Sequence, residues 1–385
     1  MTHRLAIFRQ SILPISETFI RSQAQSLTRW RPILIGFKRA TNSLDLKNIP
    51  ACVVGPNSLA ETIHESMAYW AKLPVRRLTR LLTRIGADMV HAHFGPDAVH
   101  IWPSVRAAGL PMLVTLHGYD VNIRREWWKS GKGGSRNRVY PERLLQLAQE
   151  PKVGFLAVSE AIRQRAIESG IPQERITTSY IGVDLPSIPY PGPPLSHRRK
   201  RILFVGRMVE KKAPDLLLDS FLDVLKQVPD AELTFIGDGP LLPKILAVTR
   251  EKQLPVQVLG SRPWEEVIQQ LGLCRVFCLP SITAQNGDAE GLPIALLEAM
   301  ASGVAVVSSD SSGIKEAVLH KKTGLLFHEH DRNQLSSHLV TLMRDSALCE
   351  RLAVEARRYA ALNFNLGRCT KSLEDILDQH LALHS

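Results

Sequence analysis

The sequence predicts an α/β protein of two Rossmann-like domains, each built on a doubly wound parallel sheet. Residues 1–185 alternate short apolar runs with helix-patterned segments, and residues 202–365 repeat that alternation. Between them, residues 184–201 hold five prolines and end in the basic run Arg198-Arg199-Lys200-Arg201. Strands alternating with helical patterns are the signature of βαβ units, whose crossovers cover both faces of a parallel sheet. Proline at such density removes backbone donors and fixes φ, which leaves a linker. The expected organisation is a first domain over 1–185, a linker over 186–201, a second domain over 202–365, and a helix over 366–385 that crosses back to the first domain.

A chain of 385 residues is long enough for two cores. Its 44% hydrophobic and 22% charged residues are ordinary for a globular protein. No stretch of about 18 apolar residues occurs, which excludes a conventional membrane-spanning helix. The opening run Leu5-Ala6-Ile7-Phe8 is cut short by Arg9 and Gln10, too soon for a secretory signal, so a cytoplasmic protein is expected. The five cysteines are odd in number and scattered. Cys274 and Cys278 sit in a strand-like apolar run, where packing explains them, and neither a disulfide nor a zinc site is expected. The net charge of +11 is unevenly spread: residues 1–192 carry 25 Lys/Arg against 14 Asp/Glu, and residues 193–385 carry 23 of each. An electropositive first half suits an anionic surface or ligand.

In the first domain the strands are expected at residues 5–8, 31–37, 89–92, 112–116, 155–158 and 176–180. A helix is expected from Ser16, with Ser16 as its N-cap and Glu17 complementing the positive end of its dipole. This first strand-to-helix turn lies at the carboxyl edge of the sheet, where doubly wound folds bind ligands. Residues 72–85 carry five basic residues and no acid. Leu78, Leu81, Leu82 and Ile85 form one helical face there, with Arg77, Arg80 and Arg84 towards the other. Two readings stay open: a surface helix packed on its own domain, or a helix lying near an anionic inner-membrane face. Trp127-Trp128-Lys129 reads either as an interfacial loop or as a lid.

The second series places strands at 202–205, 231–236, 256–259, 276–279, 304–308 and 324–327, and helices at 214–227, 241–253, 264–271, 293–301 and 313–319. Helices at 331–345, 347–362 and 366–383 complete the chain.

The chemistry concentrates in Glu290-Gly-Leu-Pro-Ile294-Ala-Leu-Leu-Glu298-Ala-Met-Ala. Glu290 reads as a loop residue, Pro293 as a tolerated first-turn proline, and Glu298 as lying about one turn into the helix. Unpaired N–H groups at that helix start suit hydroxyl or phosphate oxygens. A second stretch, Val205-Gly206-Arg207-Met-Val-Glu-Lys-Lys212-Ala213-Pro214, places Arg207 and Lys212 in the loop after a strand, as a clamp for diphosphate. The turn Gly237-Asp238-Gly239-Pro240 is expected to leave backbone N–H groups free. His117, at a strand end before Gly118, is a ligand-facing candidate; His91, His93 and the loop His328-Glu329-His330 carry no metal expectation. No Asp-x-Asp pair follows a strand, so the basic pair would neutralise a leaving diphosphate in place of a metal.

These stretches, together with SETF, HAHFG, TLHGYD and TGLLF, resemble retaining glycosyltransferases of the two-Rossmann-domain (GT-B) group 1 type, in the branch of the colanic acid and amylovoran biosynthesis enzymes. The resemblance runs in order from about residue 7 to residue 330. It implies two domains facing across a cleft, a nucleotide-sugar donor (a UDP- or GDP-hexose) with no other cofactor, and a saccharide or lipid-linked oligosaccharide acceptor, with no nucleic acid. It further implies that Arg207 and Lys212 bind the diphosphate beside Gly206. Glu298 would bind the ribose, and Glu290 the transferred sugar and the charge that develops on it. The backbone from Gly291 through Leu292 and Pro293 to Ile294 would hold further oxygens. His117 would hold a sugar hydroxyl, and the Ser16–Thr18 turn would approach the diphosphate. Ala213 stands where the family has glycine, which is harmless only if that turn keeps negative φ. A nucleotide-sugar epimerase of the same fold and a non-catalytic sugar-nucleotide-binding protein are the alternatives.

Overall fold

Every strand pair in the two large sheets is parallel in the computed structural model, which describes all residues except Met1, Ile15, Asn42, Asn57, Pro191, Gly192 and Ser385. The chain divides into two compact units, one of Met1–Gly182 with Leu366–Ser385 and one of Val183–Asn365.

The strands of the first unit are β1 (His3–Phe8), β2 (Ser11–Ile12), β3 (Trp30–Gly36), β4 (Lys38–Arg39), β5 (Ala51–Val53), β6 (Met89–His93), β7 (Met112–Leu116), β8 (Val153–Ala157) and β9 (Ile176–Thr178). Its helices are α1 (Thr18–Ser26), α2 (Leu59–Ala71), α3 (Arg76–Arg84), α4 (Gly95–Ala107), α5 (Tyr119–Asn122), α6 (Arg125–Lys129), α7 (Tyr140–Leu147) and α8 (Glu160–Glu168). The main sheet runs β5-β3-β1-β6-β7-β8-β9. All five residues of β6, β7 and β8 are buried, the polar His91, His93 and Thr115 included, as strands of a parallel sheet covered on both faces should be. Strand order reverses between β1 and β6, so the carboxyl ends of those strands flank the switch point where such sheets bind ligands.

The second unit has β10 (Arg201–Val205), α9 (Pro214–Gln227), β11 (Glu232–Ile236), α10 (Leu242–Glu251), β12 (Val256–Val258), α11 (Trp264–Leu273), β13 (Val276–Leu279), α12 (Ile294–Ala301), β14 (Ala305–Ser309), α13 (Ile314–Ala317), β15 (Leu325–Phe327), α14 (Arg332–Arg344) and α15 (Ser346–Asn363). Its sheet runs β12-β11-β10-β13-β14-β15, with the reversal between β10 and β13.

The last helix, α16 (Leu366–Ala382), belongs to the first unit. Leu373 and Leu377 enter the core with Leu5, Ile7 and Leu113. The buried Glu374 carboxylate accepts the backbone N–H groups of Thr28 and Arg29 at 2.7 and 2.6 Å. Trp30 Nε1 donates to Asp378 Oδ1 at 2.7 Å.

Several local expectations are corrected. The helix expected at Ser16 starts at Thr18; Ser16 is exposed in the turn closed by Glu17 N–H to Pro14 O at 2.8 Å. Glu17 occupies the N-cap position, but Arg9 takes its carboxylate in a bidentate pair, which fixes where the helix can begin. Arg77 is no free cation, because it pairs with Glu61 and Glu65 of α2. Trp128 is no interfacial residue: it is buried against Tyr140 and Tyr119, with ring centroids 4.8 and 5.1 Å away. The proline-rich stretch forms two single-turn 3-10 helices, Leu185–Ser187 and Leu195–His197, with Leu185, Ile188 and Leu195 buried; Pro191 and Gly192 of that stretch lie outside the described residues. The short strands β2, β4 and β5 are too brief to show a period and were not expected.

Candidate active site

In the second unit, β10 ends at Val205, and Gly206 N–H bonds Ile236 O at 3.0 Å. The glycine turn after β11 presses directly on this loop: a side chain at Gly237 would meet Gly206 O at 1.9 Å, and one at Gly239 would meet the Met208 backbone at 2.7 Å. Its two glycine N–H groups are taken, contrary to expectation, while the Asp238 N–H meets no acceptor among the described residues. Gly237 donates to Gly260 O at 2.9 Å, and Gly239 to the Asp238 carboxylate at 2.6 Å. The glycines therefore serve close approach, and they fix the course of the loop that carries Arg207. Arg207 is exposed and meets no carboxylate among the described residues.

A 3-10 turn, Glu210–Lys212, leads to α9 through Ala213. Ala213 is buried in the left-handed region, at φ 45° and ψ 50°, so the condition under which alanine would be harmless is not met. A Cβ there costs about 1–2 kcal/mol. Ala213→Gly is therefore expected to raise stability by about 0.5–1 kcal/mol, after the larger unfolded-state entropy of glycine is subtracted; urea denaturation at neutral pH checks it.

The three side chains of that turn each reach the segment after β13. Glu210 Oε1 accepts Gln285 N–H at 2.8 Å, Lys211 Nζ meets Asp288 Oδ1 at 3.0 Å, and Lys212 Nζ meets Glu290 Oε1 at 2.7 Å. Ser281 Oγ, buried at the end of β13, donates to the same Glu290 oxygen at 2.9 Å. Burial alone would raise the Glu290 pKa; the charges of Lys212 and Lys211 and the bonds from Lys212 and Ser281 bring it down to about 2. Glu290 is thus ionised at neutral pH. This suits it to stabilise positive charge and disqualifies it as a general acid.

The helix start follows at once. Pro293 stands at the N-cap of α12 and not inside its first turn, one residue from expectation. Gly291, Leu292 and Pro293 are buried and Ile294 is half-buried. The N–H groups of Gly291 and Leu292 meet no acceptor among the described residues. Glu298, on the second turn, is buried and accepts Trp264 Nε1–H at 2.8 Å. Burial pushes its pKa up to about 7, and the indole bond opposes the rise. Lys212 and Glu290 are thus brought into contact, whereas Glu298 is joined to α11. Sequence patterning did not find Ser281, Asp288 or Trp264: Asp288 and Trp264 act through partners far along the chain, and Ser281 reaches Glu290 across an irregular loop that has no period to read.

In the first unit, Arg9 follows β1 and pairs with Asp97 of α4 at 2.6 Å and with Glu17 at 2.7 Å, its guanidinium 4.3 Å from the Phe94 ring. His91 and His93 are both buried. His91 Nε2 bonds Thr115 Oγ1 at 2.7 Å, and His93 Nδ1 bonds His117 Nε2 at 3.1 Å. His117 is half-buried, with ring centroids 4.4 Å from Phe94 and 5.2 Å from Phe19. Asp120 holds the turn by accepting His117 N–H at 2.5 Å and Gly95 N–H at 2.6 Å. Burial, then the charge of Arg9, lowers the His117 pKa well below the usual range, so the ring is neutral at pH 7 and offers one donor and one acceptor. Thr18 begins α1 and is half-buried, while Ser16 stays exposed. Among the described residues, no group of three His, Cys, Asp or Glu side chains is gathered as a metal site.

Residues 192–359 match the family described as glycosyl transferases group 1, and residues 44–186 match glycosyltransferase family 4. The chain is 32% identical over 299 residues to the amylovoran biosynthesis glycosyltransferase AmsK of Erwinia amylovora, covering 76% of this chain and 70% of that one. It is 31% identical over 302 residues to a protein of Salmonella typhimurium named as a colanic acid biosynthesis glycosyltransferase, with the same coverage of 76% and 70%. Among solved structures, HepE of Anabaena in complex with UDP and glucose superposes with a TM-score of 0.78 at 17% identity, covering 98% of this chain and 100% of that one. With its two parallel α/β sheets, its matched halves and these relatives, the chain belongs to the group 1 glycosyltransferases of the GT-B fold.

Proposed function

We propose that this glycosyltransferase moves a hexose from a UDP- or GDP-sugar to a saccharide acceptor with retention of configuration, and that the acceptor is a lipid-linked precursor of an exopolysaccharide. One observation carries the reading: Lys212, Ser281 and the ionised Glu290 converge at the switch point of the second sheet, beside the unpaired Arg207 and the start of α12. That set offers cations for a diphosphate, free amides for its oxygens, and one fixed anion. The relatives' naming for colanic acid and amylovoran biosynthesis supports the acceptor class, and the UDP complex of HepE supports a nucleotide-sugar donor.

In the proposed step the bond between the anomeric carbon and the diphosphate oxygen breaks, and its electron pair leaves with the diphosphate. Arg207 and Lys212 take up that charge, aided by the Gly291 and Leu292 amides, so no metal is assigned to the leaving group. Glu290 faces the positive charge that develops on the sugar. The acceptor oxygen bonds the anomeric carbon from the face the diphosphate leaves, and its proton passes to the departing phosphate. Glu298 holds the ribose hydroxyls. The neutral His117 is fitted to hold a hydroxyl at the carboxyl edge of the first unit's own sheet, where the Ser16–Thr18 turn also lies.

Arg207→Ala and Glu290→Gln are each expected to lower transfer by roughly 100-fold or more; Glu290→Gln also strands the buried Lys212 and loses stability, so transfer is compared only at temperatures where circular dichroism shows both variants folded. The assay follows product from UDP- and GDP-hexoses in the presence of a chelator. Unchanged turnover in both variants would sink the assignment. Epimerised donor would point to an isomerase, and binding without turnover to a non-catalytic protein.

A further inference from the structure

The two histidines of β6 take no part in the proposed step, yet both are buried where that strand ends. They stand two residues apart and so share one face of the sheet, with ring centroids 4.4 Å apart. His91 Nε2 meets Thr115 Oγ1 at 2.7 Å, a hydroxyl able to donate or accept, so this contact imposes no tautomer on His91. His93 differs. Its Nδ1 lies 3.1 Å from His117 Nε2, with 5.3 Å between the ring centroids and 26° between the ring planes. Its Nε2 is buried and meets no partner among the described residues. His117 Nδ1 also meets no partner among them, but it is not closed off from solvent. The pair therefore has a buried dead end at His93 and an open end at His117.

Burial, then the nearby His91, His117 and Arg9, keeps the His93 pKa well below the usual imidazole range, and both rings are neutral at neutral pH. Each neutral ring carries one proton, and one proton lies between them. Two arrangements satisfy that count. Nδ1–H on both rings lets His93 donate to His117, and Nε2–H on both lets His117 donate to His93. The second would leave His93 Nε2–H as a buried donor with no acceptor, whereas the first leaves only a lone pair unpaired. Orphaned buried N–H groups are the rarer of the two in folded proteins. His93 is thus the donor, and His117 carries its own proton on Nδ1, at the open end. Orientation is fixed as well. Phe94 adopts φ 74°, which a non-glycine residue takes only when its surroundings compel it. Its ring lies 4.4 Å from the His117 ring, Phe19 packs at 5.2 Å, and Asp120 accepts the His117 backbone N–H. A flip of the His117 ring would put carbon in place of Nε2 and break the shared bond.

We propose that His93 is a positioning residue that holds His117 in its Nδ1–H form, so that the first unit offers its ligand a fixed hydrogen-bond donor. The matching ligand group is an oxygen with a free lone pair, as a sugar hydroxyl has, and an ammonium group is refused. The inference deepens the proposed function and rests on its reading of His117.

The test is long-range proton–nitrogen correlation NMR of the full chain carrying isotope-labelled histidine, at neutral pH, where the two ring-nitrogen shifts report the tautomer. His93→Asn and His117→Asn assign the rings by the signals they remove. In the parent, both rings should show a protonated Nδ1. Asparagine in place of His93 sets its amide where Nδ1 stood, so His93→Asn should keep His117 in the Nδ1–H form and keep most transfer from UDP- or GDP-hexoses. His93→Leu should leave His117 as a mixture of tautomers and lower transfer about tenfold, through KM with kcat little changed, for the loss of one oriented hydrogen bond. Nε2–H on His117 of the parent, or an unchanged His117 spectrum in His93→Leu, would overturn the inference at any level of transfer. The parent spectrum decides even where His93→Leu does not fold. Full transfer in His117→Asn would instead overturn the reading of His117 as a ligand group, and the role of His93 with it. The two failures are read separately, one in the spectrum and the other in the transfer assay.

Discussion

Lys212→Met is expected to destabilise the protein by about 3–5 kcal/mol at neutral pH, because it strands Glu290 as an unpaired buried carboxylate. Lys212 and Glu290 expose only 13% and 6% of their side chains and stand 2.7 Å apart, so solvent screens little of their attraction. With the lysine gone, burial is left opposed by Lys211 and the Ser281 bond, and the Glu290 pKa must climb from about 2. Once it climbs above the unfolded value, the folded state binds the proton more tightly than the unfolded state, and the variant loses stability as pH rises through that range. Glu290→Gln added to Lys212→Met should restore most of the lost stability, since a buried pair replaced as a unit costs little. It should restore no transfer, because both charges of the proposed step are gone. Urea midpoints of the single and double variants check the first claim and the transfer assay the second. A single variant as stable as the parent would show that the pair is not buried as described.

Glu298→Gln is expected to do the reverse: stabilise the fold and weaken the donor site. The Glu298 pKa is raised by burial from 4.5 to about 7. Between those values the folded chain holds a proton that the unfolded chain has lost, so stability falls as pH rises, by about 3 kcal/mol across the window. Glutamine removes that slope. Above pH 7 the variant should be the more stable by roughly that amount, and below about pH 4.5 the two should converge. Trp264 Nε1 can still donate to the amide oxygen, so the contact to α11 survives. Ribose hydroxyls donate best to an ionised carboxylate, so donor affinity of the parent should increase as pH rises through about 7, and the variant should lose that increase. Denaturation and nucleotide titration across this range measure both. A flat stability profile in the parent would refute the account.

Much of this fold was legible because parallel strands buried on both faces write themselves as apolar runs. Residues 112–116, 276–279 and 214–227 were each read with the bounds the structure has. What escaped depended on partners that lie outside the repeat of a single helix or strand. Ser16 looked like a helix cap until Arg9 drew Glu17 into the cap position. The glycines of the β11 turn looked like free donors, yet both of their N–H groups are taken and the missing side chains admit the Gly206 and Met208 backbone. Trp128 read as part of an interfacial loop or a lid, but Tyr140 and Tyr119 enclose it. In the site, the residue types of the Glu290 and Arg207 stretches marked them as candidates for hydroxyl and diphosphate oxygens. That Lys212 lies against Glu290, and Trp264 against Glu298, follows from strand order, which local pattern does not encode.

Helix α16 also sets a timetable for synthesis. The first unit is made of residues from both ends of the chain, and its core holds Leu373 and Leu377 while Glu374 caps the Thr28 and Arg29 amides. As the chain emerges from the ribosome, the second unit is contiguous and can close as soon as Asn365 is out. The first unit, translated earlier, waits with Trp30 and the apolar ends of β1 and β7 uncovered until the closing segment arrives. Order of translation and order of completion are therefore inverted, and the nascent chain is most open to misassembly in its oldest part.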